Sequence, residues 1–100
     1  MYKVIKRDGS VVDFQIVKIA DAIKKAFDAL NKQYNDDIID FLALKVTSDY
    51  QNKIKDDTIS VESIQDSVEA VLSQAGYADV AKAYILYRKQ REKIRNMNST

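Results

Sequence analysis

Basic residues stand where the chain makes its first predicted turn, and they could bind phosphate. Lys6 and Arg7 immediately precede an Asp8-Gly9 pair, and Lys18 falls in the first turn of the helix predicted next. Amide N–H groups at a helix N-terminus attract anions, and nearby cations add charge-assisted hydrogen bonds. The spacing indicates a phosphate or polyphosphate site, but the same residue types also suit an ordinary solvated turn with charged flanks.

A second group of cations lies near the carboxyl end, on a predicted helix. Tyr84 and Arg88 are i,i+4 neighbours on one helix face, whereas Lys82 and Lys89 are about one heptad apart. We expect Arg88 to point inward, and we expect the charges of residues 91–95 to be solvated near the helix C-terminus. The tyrosines of this region are interpreted as core or interface residues rather than base-stacking platforms: Tyr77, Tyr84 and Tyr87.

Groups that usually carry catalysis are missing from the sequence. It contains no His and no Cys, which excludes disulfides, thiol nucleophiles, zinc sites built on thiolate or imidazole, and the usual general base. The paired carboxylates are typical of caps, turns and exposed helix positions: Asp36-Asp37, Asp56-Asp57 and Glu62 with Asp66. We therefore predict no dedicated metal site and no catalysis by this domain alone.

Charge is distributed unevenly along the chain. Residues 1–25 hold six Lys or Arg and three Asp or Glu, residues 26–81 hold four and eleven, and residues 82–100 hold six and one. If the basic ends meet in the fold, they create a local positive field, while the acidic middle repels a long polyanion. This division favours a small phosphorylated ligand over nucleic acid.

The elements that must position these residues belong to one domain. The chain has 100 residues, 46% hydrophobic and 31% charged, which is enough for a single core and unlike a disordered or collagen-like composition. Short β-prone runs at 2–7 and 11–14, separated by Asp-Gly, predict a hairpin. Thr58-Ile59 is β-branched and can add a third, edge strand.

Four helices are predicted from apolar residues that recur at spacings of three and four. In the first, the apolar face comprises Ile16, Ile19, Ala20, Ile23, Ala26, Phe27 and Leu30. The predicted spans are about 16–30, then Asn35 or Asp36 to Tyr50, then Ser60 as N-cap to Ala75 before Gly76, and finally Ala78 to Asn96. The predicted fold class is α+β, a four-helix bundle capped at one end by a small three-stranded sheet.

Charged residues lie too close together at the amino end for a signal peptide with an apolar core. No apolar run approaches the roughly 18 residues that a membrane span needs. We therefore expect a cytoplasmic protein with no membrane partner.

Three separated blocks of the sequence resemble one known family. The blocks are Val4-x-Lys6-Arg7-Asp8-Gly9 continued by Val12-x-Phe14-x-x-x-Lys18-Ile19, then 60–69, and then 80–88. Together they resemble the ATP-cone, a nucleotide-sensing domain found at the amino end of ribonucleotide reductases and in their transcriptional repressor. The resemblance covers nearly all of residues 2–91. It implies the same bundle-and-cap architecture, with ATP or dATP bound as an allosteric effector, with or without Mg²⁺.

The resemblance also implies a set of nucleotide-binding residues: Lys6, Arg7, Val12, Gln15, Lys18, Ile19, Ser60, Gln65, Arg88 and Lys89. Lys6 and Arg7 would meet the phosphates, and the segment from Val12 to Ile19 would wrap the nucleotide, with Lys18 also on a phosphate. Gln15 departs from the family, which commonly has Asp or Asn there, both better helix caps.

On the other side of the site, Ser60 and Gln65 would lie near the sugar or base, and Arg88 or Lys89 would close over the phosphates. The domain would span residues 1–91, with residues 92–100 forming a polar linker toward a missing catalytic domain.

Among possible hosts, the tail from 91 to 100 most resembles the linker of an anaerobic ribonucleoside-triphosphate reductase, and the aerobic reductases stay open. The repressor is disfavoured because its cone follows a Cys-rich zinc ribbon. The expected partners are an adenine nucleotide, the catalytic domain of the host and further copies of the chain in a homo-oligomer. Three alternatives stay open: a nucleic-acid-binding module built on the basic helix from 82 to 95, a nucleotide-dependent transcriptional regulator module, and an oligomerisation domain with an empty site.

Overall fold

A β-hairpin opens the chain, as the Asp-Gly turn predicted. The structure is a computed structural model that describes residues 2–98, with side chains for residues 2–90. β1 (Lys3–Ile5) pairs antiparallel with β2 (Val11–Asp13). β1 ends before the predicted Lys6 and Arg7, because the Lys6 N–H already donates to Ser10 O at 2.8 Å within the turn, and β2 ends one residue before Phe14. Gly9 takes a φ of +88° there, a conformation that residues with a Cβ rarely adopt.

A third short strand completes the sheet. β3 (Thr58–Ser60) pairs parallel with β1, on the side opposite β2, so the order is β2-β1-β3. The predicted edge strand is therefore confirmed. Because β3 is parallel to β1, the chain must cross over between them, and two helices form that connection. β1 lies in the centre, which places the end of the hairpin beside the start of the helix that follows β3.

Four helices form the bundle: α1 (Ile16–Ala29), α2 (Asp36–Asp49), α3 (Val61–Gln74) and α4 (Ala78–Asn98). Each packs against the next in chain order, and α4 packs back against α1. The predicted α+β fold is therefore confirmed. α4 continues to Asn98, so residues 92–98 of the predicted linker are helical. A 3-10 turn (Gln51–Lys53) lies in the predicted polar connection.

Helix starts differ in how they are capped. The Asn35 side chain accepts from the Ile38 N–H at 2.8 Å, and the Ser60 hydroxyl accepts from the Ser63 N–H at 3.1 Å. Both satisfy amides that otherwise lack a partner in the first helical turn. Gln15 occupies the N-cap position of α1 but makes no side-chain capping hydrogen bond. The start of α1 thus keeps its amides uncapped by a side chain.

The core lies between the helices and the inner face of the sheet. Its largest fully buried side chains are Tyr50, Phe27, Ile23, Ile39, Leu42 and Leu72. Tyr50 also hydrogen-bonds Tyr2 through the two hydroxyls, and both rings pack against Phe14, which ties the hairpin to α2. None of the helices in the described part of the chain is long and apolar enough to cross a membrane.

Two ends of the predicted apolar face of the first helix are exposed. Ile16 is 39% and Leu30 is 41% accessible. Ile16 is the first residue of α1 and Leu30 is its C-cap, so both lie where the neighbouring helices no longer cover α1. The buried part of the face runs from Ile19 to Phe27.

Candidate functional site

A cavity of about 420 Å³ opens between the hairpin, α1, α3 and α4. This volume falls in the range of about 300–1,000 Å³ typical of small-molecule sites. Most of the predicted nucleotide-binding residues line it: Lys6, Arg7, Val12, Gln15, Lys18, Ile19, Gln65 and Arg88. Ser60 and Lys89 are not among the lining residues. Five cationic side chains and two carboxylates line the cavity, so it carries net positive charge.

The start of α1 supplies one cationic part of the cavity. Gln15 and Lys18 both line it, and Gln15 leaves the first amides of α1 without a side-chain cap. Lys6 and Lys18 form no side-chain hydrogen bond or ion pair with any residue whose side chain is described. A helix N-terminus flanked by two unengaged lysines suits an anion.

Arg7 contributes a cation from the hairpin turn that follows β1, and residues of α3 contact its side chain. Its Nε lies 3.5 Å from Glu62 Oε1, and its Nη2 donates to Gln65 Oε1 at 3.3 Å. Only 23% of the Arg7 side chain is accessible. The parallel pairing of β1 with β3 explains this contact, since α3 begins directly after β3.

Arg88 reaches α3 from the other side, out of α4. Its Nη1 donates to Glu69 Oε1 and also lies 3.4 Å from Asp66 Oδ1. The side chain is 18% accessible, which confirms the prediction that Arg88 points inward. Burial lowers the pKa of Arg88, but the hydrogen bond and charge of Glu69 outweigh that effect and raise the pKa above its ordinary value. The guanidinium therefore stays charged in the cavity.

Among the lining residues that were not site candidates, Lys25, Tyr84 and Tyr87 form the side of the cavity between α1 and α4. Lys25 Nζ lies 3.4 Å from Tyr87 Oη and 5.6 Å from the centre of its ring. Tyr84 is buried beside them, and burial raises the pKa of its hydroxyl. A signal for Lys25 did exist, because residues seven apart, such as Lys18 and Lys25, share a helix face.

A family profile decides the identity of the fold. The profile described as the ATP cone domain matches residues 2–93. The chain belongs to the ATP-cone family.

Relatives of this ATP-cone are parts of ribonucleotide reductases. The chain is 40% identical over 99 residues to a ribonucleoside-diphosphate reductase subunit alpha of Chlamydia pneumoniae, covering 92% of the chain and 9% of that protein. It is 43% identical over 98 residues to a vitamin B12-dependent ribonucleoside-diphosphate reductase of Thermoplasma acidophilum, covering 93% and 12%. It is 38% identical over 101 residues to an anaerobic ribonucleoside-triphosphate reductase of Haemophilus influenzae, covering 98% and 14%. The ATP-cone thus spans about a tenth of the length of these relatives.

Ser60 and Lys89 take other positions in this ATP-cone. Ser60 ends β3 and caps α3, where its hydroxyl also lies 3.0 Å from the Ser63 hydroxyl. Lys89 follows Arg88 on α4 and is exposed. Among the residues that the structure describes, no group of three or more acidic side chains could hold a metal ion.

Proposed function

We propose that this ATP-cone binds ATP or dATP in the cavity and acts as the allosteric regulatory domain of a ribonucleotide reductase. ATP-cone domains are nucleotide-binding regulatory domains, and the proposal adds the identity of the effector and the place where it binds. The observation that carries it is the convergence of five cationic side chains on one cavity: Lys6, Arg7, Lys18, Lys25 and Arg88.

The cavity is lined by both cationic and apolar side chains, a combination that suits a nucleoside triphosphate. Its cations come from the hairpin, α1 and α4, and they suit the polyphosphate with or without Mg²⁺. Apolar and aromatic side chains also line it, including Val12, Ile19 and Tyr87, and they suit a purine. The side-chain amide of Gln65 can hydrogen-bond a ribose hydroxyl. Because ATP differs from dATP only in its 2′-hydroxyl, such a bond could distinguish the two nucleotides.

Regulation would follow from unequal affinity of the nucleotide for two states of the host. The domain has no catalytic groups of its own in this proposal, so it acts only by shifting an equilibrium of activity and oligomeric state. A coupling free energy of about 1–3 kcal/mol would change the equilibrium about 5- to 150-fold. The partners in this proposal are the catalytic domain of the host and further copies of the same chain.

Three kinds of reductase appear among the relatives, at similar identities of 38% to 43%. We assign the host to the ribonucleotide reductases as a class, with the anaerobic ribonucleoside-triphosphate reductase as the candidate that the tail of the sequence favours.

Calorimetric titration with ATP, dATP, GTP and inorganic triphosphate tests the proposal on the 100-residue chain. We expect ATP and dATP to bind, and we expect Lys18→Ala to weaken both. Lys45→Ala is the matched control, because Lys45 is an exposed lysine on α2 that does not line the cavity. Absence of ATP and dATP binding at millimolar concentration would contradict the proposal. Binding of duplex or single-stranded nucleic acid with a steep salt dependence would instead support the basic-helix alternative.

A further inference from the structure

The Arg88 guanidinium is held by one of its three nitrogens. Both of its contacts with α3, to Glu69 and to Asp66, run through Nη1. Its Nε and Nη2 make no hydrogen bond with any residue whose side chain the structure describes. These two nitrogens form one edge of the planar guanidinium, and two parallel N–H groups on one edge match two oxygens of a phosphate.

Burial distinguishes the two carboxylates that hold Nη1. The Glu69 side chain is 25% accessible, whereas the Asp66 side chain is 64% accessible. Water competes less for the Glu69 contact, so Glu69 restrains Arg88 more strongly than Asp66 does. Glu69 does not line the cavity itself, so its hydrogen bond can affect a ligand there only through Arg88.

We propose that Glu69 is a positioning residue that holds Arg88 so that its Nε–Nη2 edge receives a phosphate group of the ligand. This inference rests on the proposed nucleotide function and adds a residue outside the cavity to it. The phosphate adds to an edge that is already available and does not displace Glu69. An arginine that is ordered before binding loses less conformational entropy when the ligand arrives.

An opposing mechanism makes the opposite prediction. If the phosphate had to displace Glu69 from Arg88, the carboxylate would compete with the ligand, and removing its hydrogen bond would strengthen binding. Charge alone would also favour an anion once the carboxylate is gone. A useful experiment must therefore separate the hydrogen bond of Glu69 from its charge.

Two variants make this separation at one position. Glu69→Gln keeps an oxygen that can accept from Arg88 Nη1, and Glu69→Ala does not, but both remove the same charge. Affinities for ATP and for inorganic triphosphate are measured by calorimetry on the 100-residue chain, and thermal unfolding checks that each variant folds. We expect Glu69→Ala to bind about 2- to 12-fold more weakly than Glu69→Gln, the cost of ordering one long side chain.

A background without the guanidinium shows whether the effect passes through Arg88. With Arg88→Ala already present, we expect the Gln and Ala variants at Glu69 to bind triphosphate equally, as measured by NMR titration at millimolar ligand. A ratio that persists in this background would overturn the proposal, because Glu69 would then act on binding by another route. Asp66→Asn and Asp66→Ala should differ by less than about twofold, since that contact is exposed.

Failure of this inference and failure of the proposed function look different. If the unmodified chain binds neither ATP nor triphosphate, the proposed function is wrong and the inference is overturned with it. If the unmodified chain binds both ligands but Glu69→Ala binds as tightly as Glu69→Gln or more tightly, only the positioning role is wrong. An unfolded Glu69→Ala variant would be replaced by Glu69→Leu, which also lacks an acceptor and keeps the side-chain volume.

Discussion

The arginines and the lysines of the cavity hold their positive charge in different ways. Arg7 and Arg88 lie against α3, are 23% and 18% accessible, and are held by carboxylates of that helix. Lys6 and Lys18 also line the cavity, but their ammonium groups contact no described side chain through a hydrogen bond or ion pair. The side of the cavity next to α3 is therefore held by side-chain contacts, and we call it the ordered side. The side with Lys6 and Lys18 lacks such contacts among the described residues, and we call it the adaptable side.

This difference matters because the two side chains recognise anions differently. A guanidinium presents a rigid, planar set of donors, whereas an ammonium on a flexible stem acts as a point charge. The arginines can select the geometry of a phosphate, and the lysines can follow phosphates whose positions differ between ligands. We infer that the arginines held by α3 determine the geometry of the phosphate site. Lys6 of the hairpin and Lys18 of α1 add positive electrostatic potential.

The largest expected effect tests the ordered side. Arg88→Ala should weaken the binding of ATP, dATP and triphosphate by about 3 kcal/mol, the upper end for a hydrogen bond to a charged group. Calorimetry with the three ligands measures this loss, and Lys82→Ala, an exposed cation on the same helix, is the control. A loss at Lys82 as large as at Arg88 would mean that only net charge matters, and the comparison would fail.

A smaller effect is expected on the adaptable side. Lys6→Ala should weaken ATP and dATP by a similar amount, about 1.5 kcal/mol, because a phosphate contact does not depend on the sugar. Parallel titrations with both nucleotides check it. If both affinities stayed intact, or only one of them changed, the phosphates would not lie beside the hairpin turn.

Gln65 tests whether α3 also reads the sugar. Gln65→Ala should change the ratio of ATP to dATP affinity by about 1 kcal/mol, which is typical of one neutral hydrogen bond. Ser60→Ala is the comparison, because Ser60 caps α3 and does not line the cavity. We expect it to lower the free energy of unfolding by about 1 kcal/mol and to leave the nucleotide ratio unchanged. A changed ratio in Ser60→Ala would place the sugar nearer the N-terminus of α3.

Local sequence signals predicted the secondary structure and the helix caps of this molecule well. Contacts between segments that are distant in the sequence were harder to predict. The hairpin, the edge strand and the caps at Asn35 and Ser60 depend on turn chemistry and short-range spacing, which a sequence displays directly. The i,i+4 relation of Tyr84 and Arg88 likewise predicted an inward arginine.

The sequence did not predict which carboxylates of other elements pair with the two arginines. The pairing of Arg7 with Glu62 depends on β3 lying parallel to β1, and the pairing of Arg88 with Glu69 depends on how α3 and α4 pack. Glu62 resembled an ordinary first-turn acid, because nothing local distinguishes an exposed carboxylate from one that orders an arginine. The heptad spacing from Lys18 offered a signal for Lys25, but its contact with Tyr87 depends on the packing of α1 on α4.

The smallest effect is expected from an ion pair far from the cavity. Lys32 Nζ lies 3.0 Å from Asp79 Oδ2, with side chains 37% and 54% accessible, and neither residue lines the cavity. The hydrogen bond from Lys32, with help from the Val80 N–H, holds the pKa of Asp79 below its ordinary value. A carboxyl whose pKa is lowered by folding stabilises the protein fully above its unfolded pKa of about 3.9, and this contribution is lost as the pH falls through the lower folded value.

Unfolding temperatures of the unmodified chain and Asp79→Asn should therefore differ slightly at pH 7 and converge toward pH 2. The small difference at pH 7 should shrink further in 1 M salt, because salt screens exposed pairs. ATP affinity should be unchanged in Asp79→Asn, and a weakened affinity would show that the ordered arginines depend on charges well beyond α3.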